Sequence, residues 1–240
     1  MKVVGIVQAR MGSQRTPGKS FARIGGLPTV EIVCRRAQRS ARLDEVVLAT
    51  STLGEDDVLA DHAARIGVPV IRGAATDLVA RHHAAALASG ASHVVRICAD
   101  NVFLDWHELD RLVESGVSER RDYVAFRNPD HPARDNDFAG EFITMSALAA
   151  AFRDARDAGH REHVGPFFRA HPDRFSLGTL DVADDLRTPV KLDLDEPADL
   201  TLLQAIGAEV EDVLTVSAAD VVRIAGRLAA QPRRSKVTQS

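Results

Sequence analysis

Three short segments of this 240-residue chain carry residue types that do chemistry together. The first reads Gln8-Ala9-Arg10-Met11-Gly12-Ser13-Gln14-Arg15-Thr16-Pro17-Gly18-Lys19 and follows an apolar run. Gly12 and Gly18 let the backbone turn tightly and bring N–H groups up to phosphate oxygens. Arg10 and Arg15 can grip such oxygens in a bidentate way, and Lys19 adds a point charge. The first acidic residue of the chain is Glu31, so the loop is positive and free of carboxylates. A polyphosphate is the anion it suits best. The spacing from Gly12 to Lys19 is one residue longer than in a P-loop, and the loop does not match GxGxxG.

The second segment is Arg96-Ile97-Cys98-Ala99-Asp100-Asn101-Val102-Phe103-Leu104-Asp105. Asp100 falls just past the carboxyl end of an apolar strand, where a carboxylate can hold Mg²⁺ against substrate phosphates. Asp105 reads as the cap of the helix that follows. The third is Lys191-Leu192-Asp193-Leu194-Asp195-Glu196-Pro197. Asp193 and Asp195 alternate with leucines and share a face if the segment is extended. Two such carboxylates call for a cation between them. Capping of a helix at Pro197 by Asp195 or Glu196 is the competing reading.

The elements that must position these segments are legible as alternating apolar runs and helical patterns. Strands are expected at 2–8, 45–50, 68–72 and 93–98, with helices at 28–41, 55–66 and 77–89. That alternation predicts an α/β fold, a mostly parallel sheet with helices on both faces. The three segments then meet at one sheet edge, where ligands of such folds bind. Beyond residue 120 we expect a strand at 123–126, helices at 144–158, 161–171, 198–206 and 217–230, and strands at 175–181 and 188–194. Residues 127–141 form a long polar loop, and a loop of that length in a compact domain is expected to carry function. Residues 1–230 read as one domain and 231–240 as a flexible tail.

Composition narrows the function classes. Residues 1–43 hold nine Lys or Arg against one Glu, a net of +8, so the remainder carries −12 of the overall −4. That balance excludes a general nucleic-acid binder and suits an anionic ligand held through a metal. No run reaches the length of a membrane span, and the start lacks a signal-peptide pattern, which points to the cytoplasm. Cys34 and Cys98 form no metal or disulfide spacing and read as buried small hydrophobes. His82 and His83 read as a surface or packing pair.

The opening motif closely resembles the QARxGSxRLPGK signature of cytidylyltransferase-like proteins, a group that includes the SpsF-type spore-coat-polysaccharide proteins and is related to the CMP-sialic acid and CMP-Kdo synthetases. Further segments extend the resemblance over most of the chain. Ala49-Thr50-Ser51 with Glu55-Asp56-Asp57, Arg72-Gly73 with Asp77 and Arg81, Arg161-Glu162-His163-Val164-Gly165-Pro166-Phe167, and Asp195-Glu196-Pro197-Ala198-Asp199-Leu200 each match in order. Thr16 stands where the family has Leu, and Cys98-Ala99-Asp100-Asn101-Val102-Phe103 where it has TGDCPL.

The resemblance implies a Rossmann-like nucleotidyltransferase with CTP as donor, Mg²⁺ as cofactor and pyrophosphate as leaving group. It implies nucleotide binding by Gln8, Ala9, Arg10, Gly12, Ser13, Arg15, Lys19, Arg72 and Asp77. In it Arg10, Arg15 and Lys19 neutralise the leaving group, and Asp100 and Asp195 hold the metal with help from Asp193. It also makes a homodimer the expected assembly. His131, Arg134, Asn136 and Glu141 in the long loop, and Arg161, Glu162 and His163, are candidates for binding a small anionic acceptor: an acidic sugar, a sugar phosphate or a phosphonate. Two rival readings stay open, a nucleotide-sugar-dependent glycosyltransferase using Asp193 and Asp195, and a non-catalytic nucleotide-binding module.

Overall fold

Strand β1 (Val3–Gln8) shows the logic of the whole sheet. Val3 and Val7 pack into one hydrophobic cluster and Val4 and Ile6 into another, so the strand is covered on both faces. The computed structural model describes residues 1–13, 15–127 and 137–230. Parallel to β1 lie β4 (Glu45–Ser51) and β6 (His93–Cys98), and β5 (Val70–Gly73) extends the sheet beyond β4. A short β8 (Glu141–Thr144) pairs antiparallel with β6 and with β7 (Tyr123–Arg127), and β9 (Leu177–Asp181) runs parallel to β7. The order is β5-β4-β1-β6-β8-β7-β9. Only β8 runs against the rest, so the sheet is mostly parallel as the sequence alternation implied.

Helices cover both faces. On one side α1 (Thr29–Ala37), α2 (Asp57–Arg65), α4 (Trp106–Ser118), α8 (Pro197–Glu209) and α9 (Ala218–Ala230) contribute Ile32, Leu59, Leu109, Leu203 and Ile224 to the core. On the other, α3 (Leu78–Ala88), α5 (Met145–Asp154) and α7 (Val164–Arg169) contribute Val79, Leu148 and Phe168. Asp105 caps α4 by accepting from the His107 and Glu108 N–H groups. The Arg36 guanidinium, fully buried, donates to the carbonyls of Leu104, Val213 and Val216, which ties α1 to both neighbouring loops. No helix among the described residues is long and apolar enough to cross a membrane.

Four local expectations change. Residues 188–194 form no strand. Pro189 has no N–H to give a ladder, and the backbone bonds elsewhere: Leu194 N to the Asp100 carbonyl (3.0 Å) and Leu192 N to the Asp137 carboxylate (2.9 Å). The leucine alternation is real, because Leu192 and Leu194 are buried, but it seats an irregular segment against the end of β6. The single helix expected at 161–171 is split into α6 (Ala158–Glu162) and α7, since Pro166 is tolerated only in a first turn. Arg161 and Glu162 therefore close a helix instead of opening one. Two short strands, β2 (Arg23–Ile24) and β3 (Leu27–Pro28), make a hairpin through Gly25 and Gly26, whose positive φ values fit a two-residue turn. Lastly, the expected long loop ends in β8, a strand that four residues cannot announce by periodicity.

His82 is fully buried on α3 and keeps one hydrogen bond, from Nδ1 to the Leu78 carbonyl (2.8 Å). Burial, reinforced by Arg96, pushes its pKa down to about 3 from an ordinary 6.5. As pH falls the unfolded chain takes up this proton first. Stability is therefore whole above pH 6.5 and declines as pH drops toward 3. His82→Gln is expected to flatten the acid limb of a denaturant-midpoint profile by about 2 kcal/mol between pH 6.5 and 5. An unchanged slope would place the acid sensitivity elsewhere.

Candidate active site

The carboxyl ends of β1, β4, β5 and β6 share one edge because these strands are parallel, and above it opens a cavity of about 920 Å³. The opening loop forms one side. Asp56, fully buried, accepts from the Met11 N–H (2.7 Å) and from the N–H and hydroxyl of Ser51, which fastens the loop to the end of β4. Gly18, at φ 73°, starts the turn that carries Lys19. Thr16, the departure from leucine, donates its hydroxyl to the Asp195 carbonyl (2.6 Å).

The Lys19 ammonium lies between two carboxylates and a carbonyl. It donates to Asp100 Oδ2 (3.0 Å), Asp195 Oδ1 (3.1 Å) and the Leu194 carbonyl (2.7 Å). Arg15 adds a second contact to Asp195 at 3.0 Å. Burial alone would lower the Lys19 pKa, but Asp100 and Asp195 outweigh it and raise it. Asp195 is held below the usual carboxylate range because Lys19, Lys191 and Arg15 overcome its burial. Asp193 goes the other way, up to about 6, through burial and the nearby charge of Asp137. Lys191 reaches the carboxylates of Asp193 (3.1 Å) and Asp199 (2.5 Å).

Across the cavity, Arg96 on β6 donates to Gln8 Oε1 (3.0 Å) and Glu141 Oε2 (2.6 Å). The Tyr123 hydroxyl donates to Glu141 Oε1 and accepts from Arg169 (2.9 Å). Burial would raise the Glu141 pKa, but Arg96 and Tyr123 more than reverse this and hold the carboxylate ionised. Gly165 makes room for this group, as a Cβ there would overlap the Tyr123 hydroxyl and the Glu141 carboxylate.

Gln8, Ala9, Arg10, Ser13, Arg15, Lys19, Asp100, Asp193, Asp195, Glu141, Glu162 and His163 thus line one cavity. Gly12, Arg72, Asp77 and Arg161 do not. Gly12 packs against the Glu55 carboxylate. Arg72 is engaged by the carbonyls of Ser51 and Leu53 and by Asp57 (2.6 Å). Asp77 caps α3 and pairs with Arg161, which also donates to the Phe152 carbonyl, so this pair fastens α6 beside the cavity. His131, Arg134 and Asn136 lie outside the described residues.

The sequence assigns no site role to Arg81, which enters only through the family-like segment with Arg72 and Asp77, or to Arg96, Asp137, Arg169 and Lys191, yet all five line the cavity. Arg96 had a signal, a lone cation inside an otherwise apolar strand. Arg169 and Lys191 had none locally, since surface helices and loops commonly carry such charges. Cys98 is half-buried and on the cavity wall, unlike the buried Cys34, whose thiol burial pushes up to about 12.

Among the described residues, no three His, Cys, Asp or Glu side chains converge into a metal site of their own. Asp100 and Asp195 are the pair that could share a cation, with substrate oxygens completing its shell, a common form of Mg²⁺ site. Both carboxylates already gather around one ammonium, so their chemistry and placement fit a divalent ion.

A model of the cytidylyltransferase family matches residues 4–213. The spore coat polysaccharide biosynthesis protein SpsF of Bacillus subtilis is 28% identical over 231 residues, covering 94% of each chain. An uncharacterized protein of Methanocaldococcus jannaschii, MJ1063, is 30% identical over 203 residues, 84% of this chain and 82% of its own. A solved cytidylyltransferase from Leptospira borgpetersenii superposes with a TM-score of 0.86 at 26% identity, covering 95% of both chains. With a match that begins on the first strand and runs past the last carboxylate of the cavity, the chain belongs to the cytidylyltransferase family and is a nucleotidyltransferase.

Proposed function

We propose that this protein is a Mg²⁺-dependent cytidylyltransferase that joins CMP from CTP to a small anionic acceptor and releases pyrophosphate. The observation that carries the reading is the Lys19 ammonium, within 3.1 Å of carboxylate oxygens of both Asp100 and Asp195 at the mouth of a glycine-containing cationic loop. Arg10, Ser13, Arg15 and Lys19 would grip the triphosphate, and the acceptor oxygen would displace pyrophosphate at the α-phosphorus. One P–O bond forms as another breaks, so catalysis is mostly positioning and charge neutralisation. Asp100 and Asp195 would hold Mg²⁺, which when bound supplies Lewis-acid neutralisation of the phosphate oxygens. Lys191, 3.1 Å from Asp193 and 3.7 Å from Asp195, offsets the charge of both carboxylates, and Asp193 would assist in holding the metal. Gln8, held by Arg96, and Ala9 fit a nucleoside resting on the end of β1.

A screen of the four nucleoside triphosphates against acidic sugars, sugar phosphates and phosphonates, read as pyrophosphate, tests this directly. Pyrophosphate from CTP is expected with one acceptor class. Release of a nucleoside diphosphate from a nucleotide sugar would favour the glycosyltransferase reading instead. Asp100→Ala is expected to lower CTP-dependent pyrophosphate release at least ~100-fold while leaving the melting transition cooperative. Lys19→Met separates two roles. It removes a phosphate ligand and also the cation that now satisfies Asp100 and Asp195. Turnover should fall as far as in Asp100→Ala, while nucleotide-free Mn²⁺ binding, followed by electron paramagnetic resonance, should tighten. Weaker Mn²⁺ binding in Lys19→Met would contradict the assignment of these two carboxylates.

A further inference from the structure

Arg81 is a cation that the fold buries without neutralising. Its relative exposure is 2%, and it sits on α3 against the end of β5, where a Cβ on Gly73 would come within 3.3 Å of its Cγ. Nη1 donates to the Ala74 carbonyl (3.2 Å), and Nε meets no acceptor. No carboxylate of the described residues pairs with it, whereas buried Arg96 has Glu141 and buried Arg36 has several carbonyls. The charge of Asp56 acts on Arg81, but its oxygens already accept from Met11 and Ser51. Burial and the like charge of Arg10 push the Arg81 pKa down to about 10, which still leaves the guanidinium charged at neutral pH. A buried guanidinium without a counter-ion is costly, and an anion arriving from outside offsets that cost.

The cavity is electrically divided. Around Asp100, the described lining residues set Arg15, Lys19 and Lys191 against Asp100, Asp137, Asp193 and Asp195. On the opposite wall, with Arg10 left to the triphosphate loop, Arg81, Arg96 and Arg169 stand against Glu141 and Glu162. A metal-bound triphosphate suits the acidic wall and its lysines. The arginine wall keeps an excess of positive charge for a second anion.

We propose that Arg81 binds the anionic group of the acceptor, a carboxylate or a phosphate monoester, and thereby selects charged acceptors over neutral ones. This rests on the cytidylyltransferase reading and adds to it the residue that recognises the second substrate. Arg81 has the donors for it: Nη2 is uncommitted, and a guanidinium presents its N–H groups as a fork that matches either anion.

Arginine-labelled protein tests the assignment, using the Nε–Hε resonance of Arg81 identified by its loss in Arg81→Lys. The probes are CTP with Mg²⁺, and then inorganic phosphate added to the CTP-saturated protein. Phosphate is expected to shift the Arg81 resonance saturably after CTP has left it near its starting position. Arg81→Gln, or Arg81→Lys if the glutamine variant does not fold, is expected to weaken phosphate binding at least tenfold and change CTP affinity by less than twofold. If CTP alone saturates the shift and the variant weakens CTP, Arg81 is a nucleotide contact and the proposal fails. It fails also if phosphate leaves the resonance in place, which makes Arg81 a structural cation. Absence of CTP binding by the wild-type protein would instead overturn the parent reading, and the phosphate titration of Arg81 would stand apart from it.

Discussion

The ammonium of Lys19 gathers three segments that chain order keeps far apart: the loop after β1, the turn after β6, and the irregular stretch before α8. Its contacts of 3.0 Å to Asp100 and 3.1 Å to Asp195 leave those two carboxylate oxygens no more than 6.1 Å from each other. At that separation two anions repel strongly in a half-buried site unless a cation stands between them. The fold supports this cluster from outside. Thr16 pins the loop to the Asp195 carbonyl, Leu194 pins that same stretch to the Asp100 carbonyl, and Asp56 fastens the loop to β4. On the function proposed above, this ammonium holds the place of a cation that a metal-bound triphosphate would bring.

A second cluster, Gln8–Arg96–Glu141–Tyr123–Arg169, holds the other wall. It crosses β1, β6, β8, β7 and α7, so it forms only once the sheet is complete. Glu141 is a carboxylate fully committed to its neighbours. Its two oxygens hold Arg96 and Tyr123 in place. Glycines at 140 and 165 make this close assembly sterically possible, since side chains there would collide with Arg96 and with Glu141.

Much of the site was legible because it sits where parallel strands end. Arg10, Lys19 and Asp100 follow apolar runs at predictable places, and once β1 and β6 are neighbours their loops must meet. The convergence of Asp195 was expected for an incorrect local reason. Its segment is not a strand, and it reaches the edge through hydrogen bonds to Asp100 and Asp137 that no periodicity encodes. Arg169 and Lys191 were invisible as site residues, and Arg81 was visible only as part of a family-like segment, for a related reason: a cation on a helix or in a loop acquires meaning only from what is brought opposite it. β8 is the same problem in the backbone. Four residues become a strand because β6 and β7 leave one space to fill. Arg72 and Asp77 show the converse, polar residues near a site whose hydrogen-bonding capacity is used by the scaffold.

The central claim is that the cationic loop and the carboxylates of Asp100 and Asp195 form one metal–triphosphate site. Crystals grown with CTP and Mn²⁺ would test it through the anomalous signal of manganese. The account predicts a peak between Asp100 and Asp195, with the triphosphate against Arg10, Arg15 and the displaced Lys19 ammonium. Manganese elsewhere, or a triphosphate bound while Lys19 still bridges the two aspartates, would contradict it.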